Sequence, residues 1–344
     1  MSGETIANLG AFPGLTGLGA ARLRDGPWRV AVVGAGGWLG LATLELLHRL
    51  LGDGFADRVV CFGSSARTLI LRGGVAVEQE SLARLSRLSA APTLVLHLAF
   101  LTQEKAKAMS EADYVSANRA ISGAMFAVLD EIGAEGLFVP SSGAVGLAGE
   151  ADAEASKRLY GRLKLDEEGA ATAWAMRTGH PAAIARVFNL AGPYINKQSS
   201  YALACFIADA LAHRPIEIRA TRPALRSYVA ISELMSVAFG VLTDRSAGPV
   251  LFDTAGERAI EMADIARAVS QGIGGAHPVS RAPMTGAVAD SYVGDGRLYR
   301  ALRERYEVVP VDFETQVSET VAFMAQGAVS STIDQGVQEF RKRR

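Results

Sequence analysis

The chain of 344 residues sets 35 Lys and Arg against 36 Asp and Glu, a net charge of −1 that leaves no basic field to hold nucleic acid. Its 49% hydrophobic and 21% charged residues are those of a globular protein long enough for one large α/β domain or two joined ones. No run approaches the ~20 apolar residues of a membrane helix, Cys61 and Cys205 make no disulfide framework, and the N-terminus lacks a signal pattern, so a cytoplasmic protein with no membrane contact is expected.

Residues 1–28 read as a Gly- and Pro-punctuated extension that packs on the domain or stays mobile. Val30-Ala31-Val32-Val33 is then a short apolar run ending in glycine, the pattern of a buried parallel strand. Leu39 to Leu51 repeats apolar residues at helical spacing. Arg58 to Phe62 and Thr93 to Leu98 read as strands, Glu104 to Ile132 as an Ala-rich helix, and Leu137 to Val139 as a strand. A helix over 156–178 and a strand over Ala183–Phe188 follow. Strands alternating with helices imply βαβ crossovers and a doubly wound parallel sheet, here assigned to residues 29–190.

The rhythm changes after Asn189-Leu190-Ala191-Gly192-Pro193. Helices are predicted near 200–213, 232–243, 260–271 and 311–325, with short strands at Pro215–Arg219 and Arg226–Ile231 and dense Gly and Pro between 272 and 296. Residues 191–330 are therefore expected to form a smaller C-terminal lobe. Residues 331–344, ending Arg341-Lys342-Arg343-Arg344, are expected to be a solvated tail or helix end.

Gly34, Gly37 and Gly40 fall between the first strand and its helix with spacing G-x-x-G-x-x-G. Such glycines make a tight turn, admit a pyrophosphate and let helix pack on strand, while the helix N-terminus offers free N–H groups. The turn, with Trp38 and Leu39, is read as a dinucleotide site. An Asp or Glu ending the second strand would bond the ribose 2′-OH of NAD. The sequence there is Phe62-Gly63-Ser64-Ser65-Ala66-Arg67, with no acid. Ser64, Ser65 and Arg67 are instead suited to a 2′-phosphate, which favours NADP with NAD as the alternative.

Tyr160 and Lys164 lie four residues apart in a predicted helix, on one face. A nearby ammonium favours phenolate, so the pair is expected to lower the tyrosine pKa and trade a proton with an alcohol or carbonyl oxygen. Ser141-Ser142 follow the strand Leu137–Val139, and the Ser142 hydroxyl is placed to polarise a reacting oxygen. No metal site is expected.

Taken together these residues resemble the extended short-chain dehydrogenase/reductases, specifically the NAD-dependent epimerase/dehydratase group acting on nucleotide sugars. The resemblance runs from about Arg29 to Phe323 and takes in the glycine turn, His97-Leu98-Ala99, Asn118, Ser142, Tyr160, Lys164, the segment Arg186–Pro193 and Arg226-Ser227-Tyr228-Val229. It implies a Rossmann-type sheet with a substrate lobe. It makes Tyr160 the acid/base, Lys164 the ribose anchor and Ser142 the orienting hydroxyl. Leu98 and Ala99 would line the cofactor cleft, and Asn189 would face the substrate. Arg226 would meet a diphosphate or, equally, form a surface ion pair. His97 and Asn118 read as structural. The group also implies a homodimer through the helices 104–132 and 156–178.

Some positions depart from the group. Gly146 and Ile121 replace a customary Tyr and Gly, and Ser232 a common Asp. Ser142-Gly143-Ala144 stands where similar dehydratases carry Thr-Asp-Glu, so dehydration has no acids to run it. The resulting expectation is an NADP(H)-dependent ketoreductase of a nucleotide-activated keto-sugar. Alternatives are an NAD-retaining nucleotide-sugar 4-epimerase and a reductase of a non-sugar carbonyl. A cofactor-binding sensor without turnover is disfavoured by the intact Ser142, Tyr160 and Lys164.

Overall fold

A computed structural model describes residues 12–275 and 277–326. Residues 1–11 of the predicted extension and the predicted tail 331–344 lie outside them. The run predicted as the first strand is β1 (Arg29–Val33), buried from Val30 onward. The glycine turn leads from it into α2 (Trp38–Leu51), which buries one side against the sheet. The strands that follow are β2 (Val59–Gly63), β3 (Arg67–Ile70), β4 (Ala76–Ser81), β5 (Thr93–His97), β6 (Ala134–Ser142) and β7 (Ala182–Val187).

With the strand Pro249–Asp253 they form one eight-stranded sheet in the order Pro249–Asp253, β7, β6, β5, β1, β2, β4, β3. Every neighbouring pair is parallel except β3 with β4. The chain leaves β1 for β2 on one side and later returns to β5 on the other. This reversal opens a crevice at the carboxyl ends of β1 and β5, where ligands of open parallel sheets bind.

The hairpin β3–β4 and the strand Pro249–Asp253 were not anticipated. Their alternating or half-exposed burial lacks the continuous apolar run of a central strand. The helix expected over 104–132 is instead a short turn, Gln103–Ala106, and then α3 (Glu111–Phe126). Ser110 starts α3 afresh, its hydroxyl accepting from the Asp113 N–H at 3.1 Å. Strand β6 runs to Ser142, so both serines are strand residues, paired with Arg186 and Val187 of β7. The expected helix 156–178 is α4 (Ala155–Thr178). A helix at Gly296–Arg305, started by the Asp295 side chain, was also missed beside the Gly- and Pro-rich stretch.

The smaller lobe has its own apolar core, with Leu203, Phe206, Ile207, Ile265, Val269 and Val317. Its short strand Ala224–Arg226 lies between Ile260–Glu261 and Asp290–Tyr292. The described part of the N-terminal extension packs firmly. Its helix α1 (Gly17–Asp25) lies against the buried helix Ile231–Leu242, and the Thr16 N–H donates to the Ser236 hydroxyl at 3.0 Å.

Candidate active site

The glycine turn lies at the crevice. Gly34 has φ +93°, a conformation that L side chains rarely adopt, and a Cβ there would come within 2.5 Å of the Ala99 N. The end of β1 and the segment Leu98-Ala99 after β5 therefore touch backbone to backbone, and the Leu98 N–H donates to the Val33 carbonyl at 2.7 Å. No side chain caps Gly37, the residue before α2. The open helix N-terminus carries a partial positive charge suited to phosphate.

At the far side of the turn, a Cβ on Gly36 would stand 1.9 Å from the Arg67 guanidinium. Arg67 thus begins β3 and reaches back over the turn. Ser64 and Ser65 lie exposed beside it. The buried Gln79 donates to the Ser65 carbonyl at 2.7 Å, while its own Oε1, beside Gly36, has no hydrogen-bond partner among the described residues. An open helix end, a guanidinium and an orphaned buried acceptor together fit the phosphates and ribose hydroxyls of a dinucleotide. Trp38 reaches away to the smaller lobe. Its indole N–H donates to the Pro193 carbonyl at 2.8 Å and its ring meets Tyr201 at 5.1 Å.

Ser142, Tyr160 and Lys164 come together at the end of β6. Gly161 makes this possible, because a Cβ there would stand 2.4 Å from the Ala144 carbonyl oxygen. α4 can therefore lie directly on the turn after β6, and Tyr160 faces Ser142. Glu168 pins the helix in place. It takes both Arg186 donors, at 2.8 and 2.7 Å, and the Ser141 hydroxyl at 2.5 Å. Such a forked, partly buried pair fixes geometry more than it adds stability.

The expected lowering of the Tyr160 pKa is not found. Burial is the largest influence and raises it above the ordinary value; the neighbouring Ser142 hydroxyl opposes this, while Tyr292, Glu167 and Glu104 add to the rise. The Lys164 charge is engaged elsewhere, by Glu167 at 2.8 Å and the Pro140 carbonyl at 2.9 Å. Tyr160 is accordingly a phenol that holds its proton.

The remaining predicted residues have settled partners. Asn118 accepts from the Leu101 N–H at 2.8 Å and donates to the Tyr114 carbonyl at 3.2 Å, a backbone-bonding role as expected. His97 is buried with its Nε2 3.0 Å from Glu167. Asn189 does not point its amide into open space. It donates to the carbonyls of Ser227 at 3.1 Å and Tyr292 at 3.4 Å, joining the lobes. Arg226 pairs with Asp290 at 2.9 Å.

Tyr292 is a site residue that sequence reasoning missed. It packs on Phe188 at 4.8 Å, and burial raises its pKa while the neighbouring Ser142 hydroxyl lowers it. Ser142 thus lies between two phenols from different lobes. Nothing local in Asp290-Ser291-Tyr292 signals this role, since the lobe fold alone brings it there.

The family model described as NAD dependent epimerase/dehydratase matches residues 30–251, well over half of the chain. A comparison with curated proteins found no matching relative. Among solved structures, the UDP-N-acetylglucosamine 4-epimerase of Methanobrevibacter ruminantium in complex with UDP-N-acetylmuramic acid is similar, with TM-score 0.66, 17% identity, and coverage of 88% of this chain and 99% of that one. So is the Thermus thermophilus UDP-glucose 4-epimerase in complex with NAD, with TM-score 0.63, 20% identity and coverage of 87% and 99%. The UDP-glucose 4-epimerase of Thermotoga maritima with UDP-glucose gives TM-score 0.66, 16% identity and the same coverage of 87% and 99%. At these identities the neighbours carry the fold, a mostly parallel Rossmann-type sheet with flanking helices. The family match, which spans the glycine turn and the Ser142, Tyr160 and Lys164 cluster, carries the rest: the chain belongs to the NAD dependent epimerase/dehydratase family and is an NAD(P)-dependent enzyme of that type.

Proposed function

We propose that the protein is an NADP(H)-dependent ketoreductase of a nucleotide-activated keto-sugar. The observation that carries this reading is the Arg67 guanidinium lying over Gly36 with no acid at the end of β2. A carboxylate there would favour NAD, whereas a planar cation favours a 2′-phosphate. A cofactor bound through that phosphate suits an enzyme that exchanges it each turnover. Gly143 and Ala144 hold no acid for dehydration. The keto-sugar class takes support from the neighbours, whose names include UDP-sugars.

The bound cofactor supplies the hydride. The Ser142 hydroxyl donates a hydrogen bond to the reacting carbonyl oxygen, and Tyr160 gives that oxygen its proton. Lys164 offers an N–H donor to the cofactor. Gly34, Gly37, Leu39 and Gly40 with Trp38 form the phosphate turn, Leu98 and Ala99 its opposite wall, and Ser64 and Ser65 assist Arg67. Arg226, freed from Asp290, would meet a substrate diphosphate. Asn189 braces the substrate side. A homodimer through α3 and α4 belongs to this reading, since Leu165 and Met176 of α4 are exposed at 40% and 74%.

The second reading is an NAD-retaining 4-epimerase, favoured by neighbours that are 4-epimerases, one of them in complex with NAD. Two measurements separate the readings. NADPH with UDP- and dTDP-keto-sugars is expected to be consumed in proportion to sugar. A stoichiometric NAD carried through purification, with sugar interconversion and no net NADPH loss, would establish the epimerase instead. Arg67→Ala is expected to weaken NADPH binding about tenfold or more and leave NADH within about twofold, as loss of a charge-assisted fork predicts. Fluorescence titration of both cofactors checks this, and equal changes for the two would remove the NADP assignment.

A further inference from the structure

Buried charges need partners, and the lysine of this site has one that none of its motifs requires. Lys164 and Glu167 are each 4% exposed. Glu167 Oε2 accepts from Lys164 Nζ at 2.8 Å. Its Oε1 accepts the Ser122 hydroxyl at 2.5 Å and lies 3.0 Å from His97 Nε2. The end of β5, α3 and α4 thus converge on one carboxylate. Burial alone would push that carboxyl up, but the Lys164 charge and the His97 hydrogen bond outweigh it and hold it down to about 2.

The Lys164 ammonium lies over the Phe100 ring at 3.7 Å and gives one N–H to the Pro140 carbonyl at 2.9 Å and another to Glu167. An ammonium has three donors, so one is left. Leaving such a lysine without its carboxylate would strand a buried cation, a costly state that burial resolves by removing the proton.

We propose that Glu167 is a positioning residue that holds the Lys164 ammonium charged and oriented, with its third N–H available to a bound dinucleotide. This rests on the reading that Lys164 faces the cofactor. Other titratable groups around the pair are His97 from β5, Tyr114 from α3, Glu104 from the turn Gln103–Ala106 and Tyr160 from α4. Arg119 and Asp166 face each other at the rim, 3.6 Å apart.

The test follows NADPH binding by fluorescence from about pH 7 to about pH 9.5 and needs no substrate. Wild type is expected to change less than about threefold across the range, whereas Glu167→Gln is expected to match it at the low end and weaken about tenfold by the high end. Lys164→Met, and Lys164→Met combined with Glu167→Gln, are expected to show no such slope. If the glutamine variant does not fold, Glu167→Met, which fills the same space without a carboxylate or added water beside the ammonium, takes its place with the same expected slope. Parallel curves for wild type and the Glu167 variant, or a slope that survives in the double variant, would overturn the role of Glu167. Absence of dinucleotide binding by wild type would overturn the reading of the site and this inference with it.

Discussion

Tyr160→Phe is expected to lower turnover at least about 100-fold while leaving dinucleotide affinity within about threefold, the signature of a lost proton donor. The phenyl ring keeps the packing against Phe100, whose centroid lies 5.7 Å away, so the helix and Lys164 stay in place. Only the hydroxyl beside Ser142 is removed. Because burial keeps the Tyr160 phenol protonated above its ordinary range, reduction is expected to stay active well into alkaline pH. Single-turnover hydride transfer to the first keto-sugar found active, measured with cofactor affinity on the same preparation, checks both halves. Unchanged turnover would remove Tyr160 from the mechanism.

The second large effect is a loss of stability as pH rises. Glu319 lies in the helical segment 313–326 and is 2% exposed, with neither carboxyl oxygen hydrogen-bonded among the described residues. Burial raises its pKa to about 8, against the opposing charges of Arg72 and Arg49, with Asp312 and Glu45 reinforcing the rise. Below its ordinary value of 4.5 the carboxyl is protonated in folded and unfolded chains alike, and its stabilising share is complete. Between 4.5 and about 8 the unfolded chain ionises while the folded one does not, so stability falls through this window.

At roughly 1.4 kcal/mol per tenfold change in proton concentration, the loss amounts to on the order of 5 kcal/mol by alkaline pH. Glu319→Met fills the same space without a titrating group. It is expected to match wild type at about pH 5 and to be the more stable protein at about pH 9 by that order of magnitude. Thermal midpoints of the two proteins across the range decide it, and curves that run parallel would sink the assignment.

Much of the site was legible because its parts are local. The Val30–Val33 run and the spacing Gly34, Gly37, Gly40 encode a strand, a turn with φ +93° and a helix end within a dozen residues. Tyr160 and Lys164 are four residues apart on one helix, so helical period alone puts them on one face. What failed depended on neighbours distant in the chain. The pKa of Tyr160 turned on packing and on Lys164 being engaged by Glu167, and neither follows from spacing. The Asn189 amide bonds carbonyls at Ser227 and Tyr292, which only the lobe fold brings within reach. The hairpin β3–β4 escaped because an edge strand buries one face and leaves no long apolar run.

Residue pattern alone was enough for the doubly wound architecture, the strand, glycine turn and helix that begin it, and the shared helix face of Tyr160 and Lys164, since each rests on short-range periodicity and backbone conformation. The electrostatics and the contacts between the lobes came from the folded arrangement. Folding carried Arg67 back over Gly36, engaged Lys164 with Glu167, and brought Tyr292 to Ser142 from 150 residues away. Charge and solvation act through space, so a pKa or an ion pair is set by what folding brings near, whatever its distance along the chain.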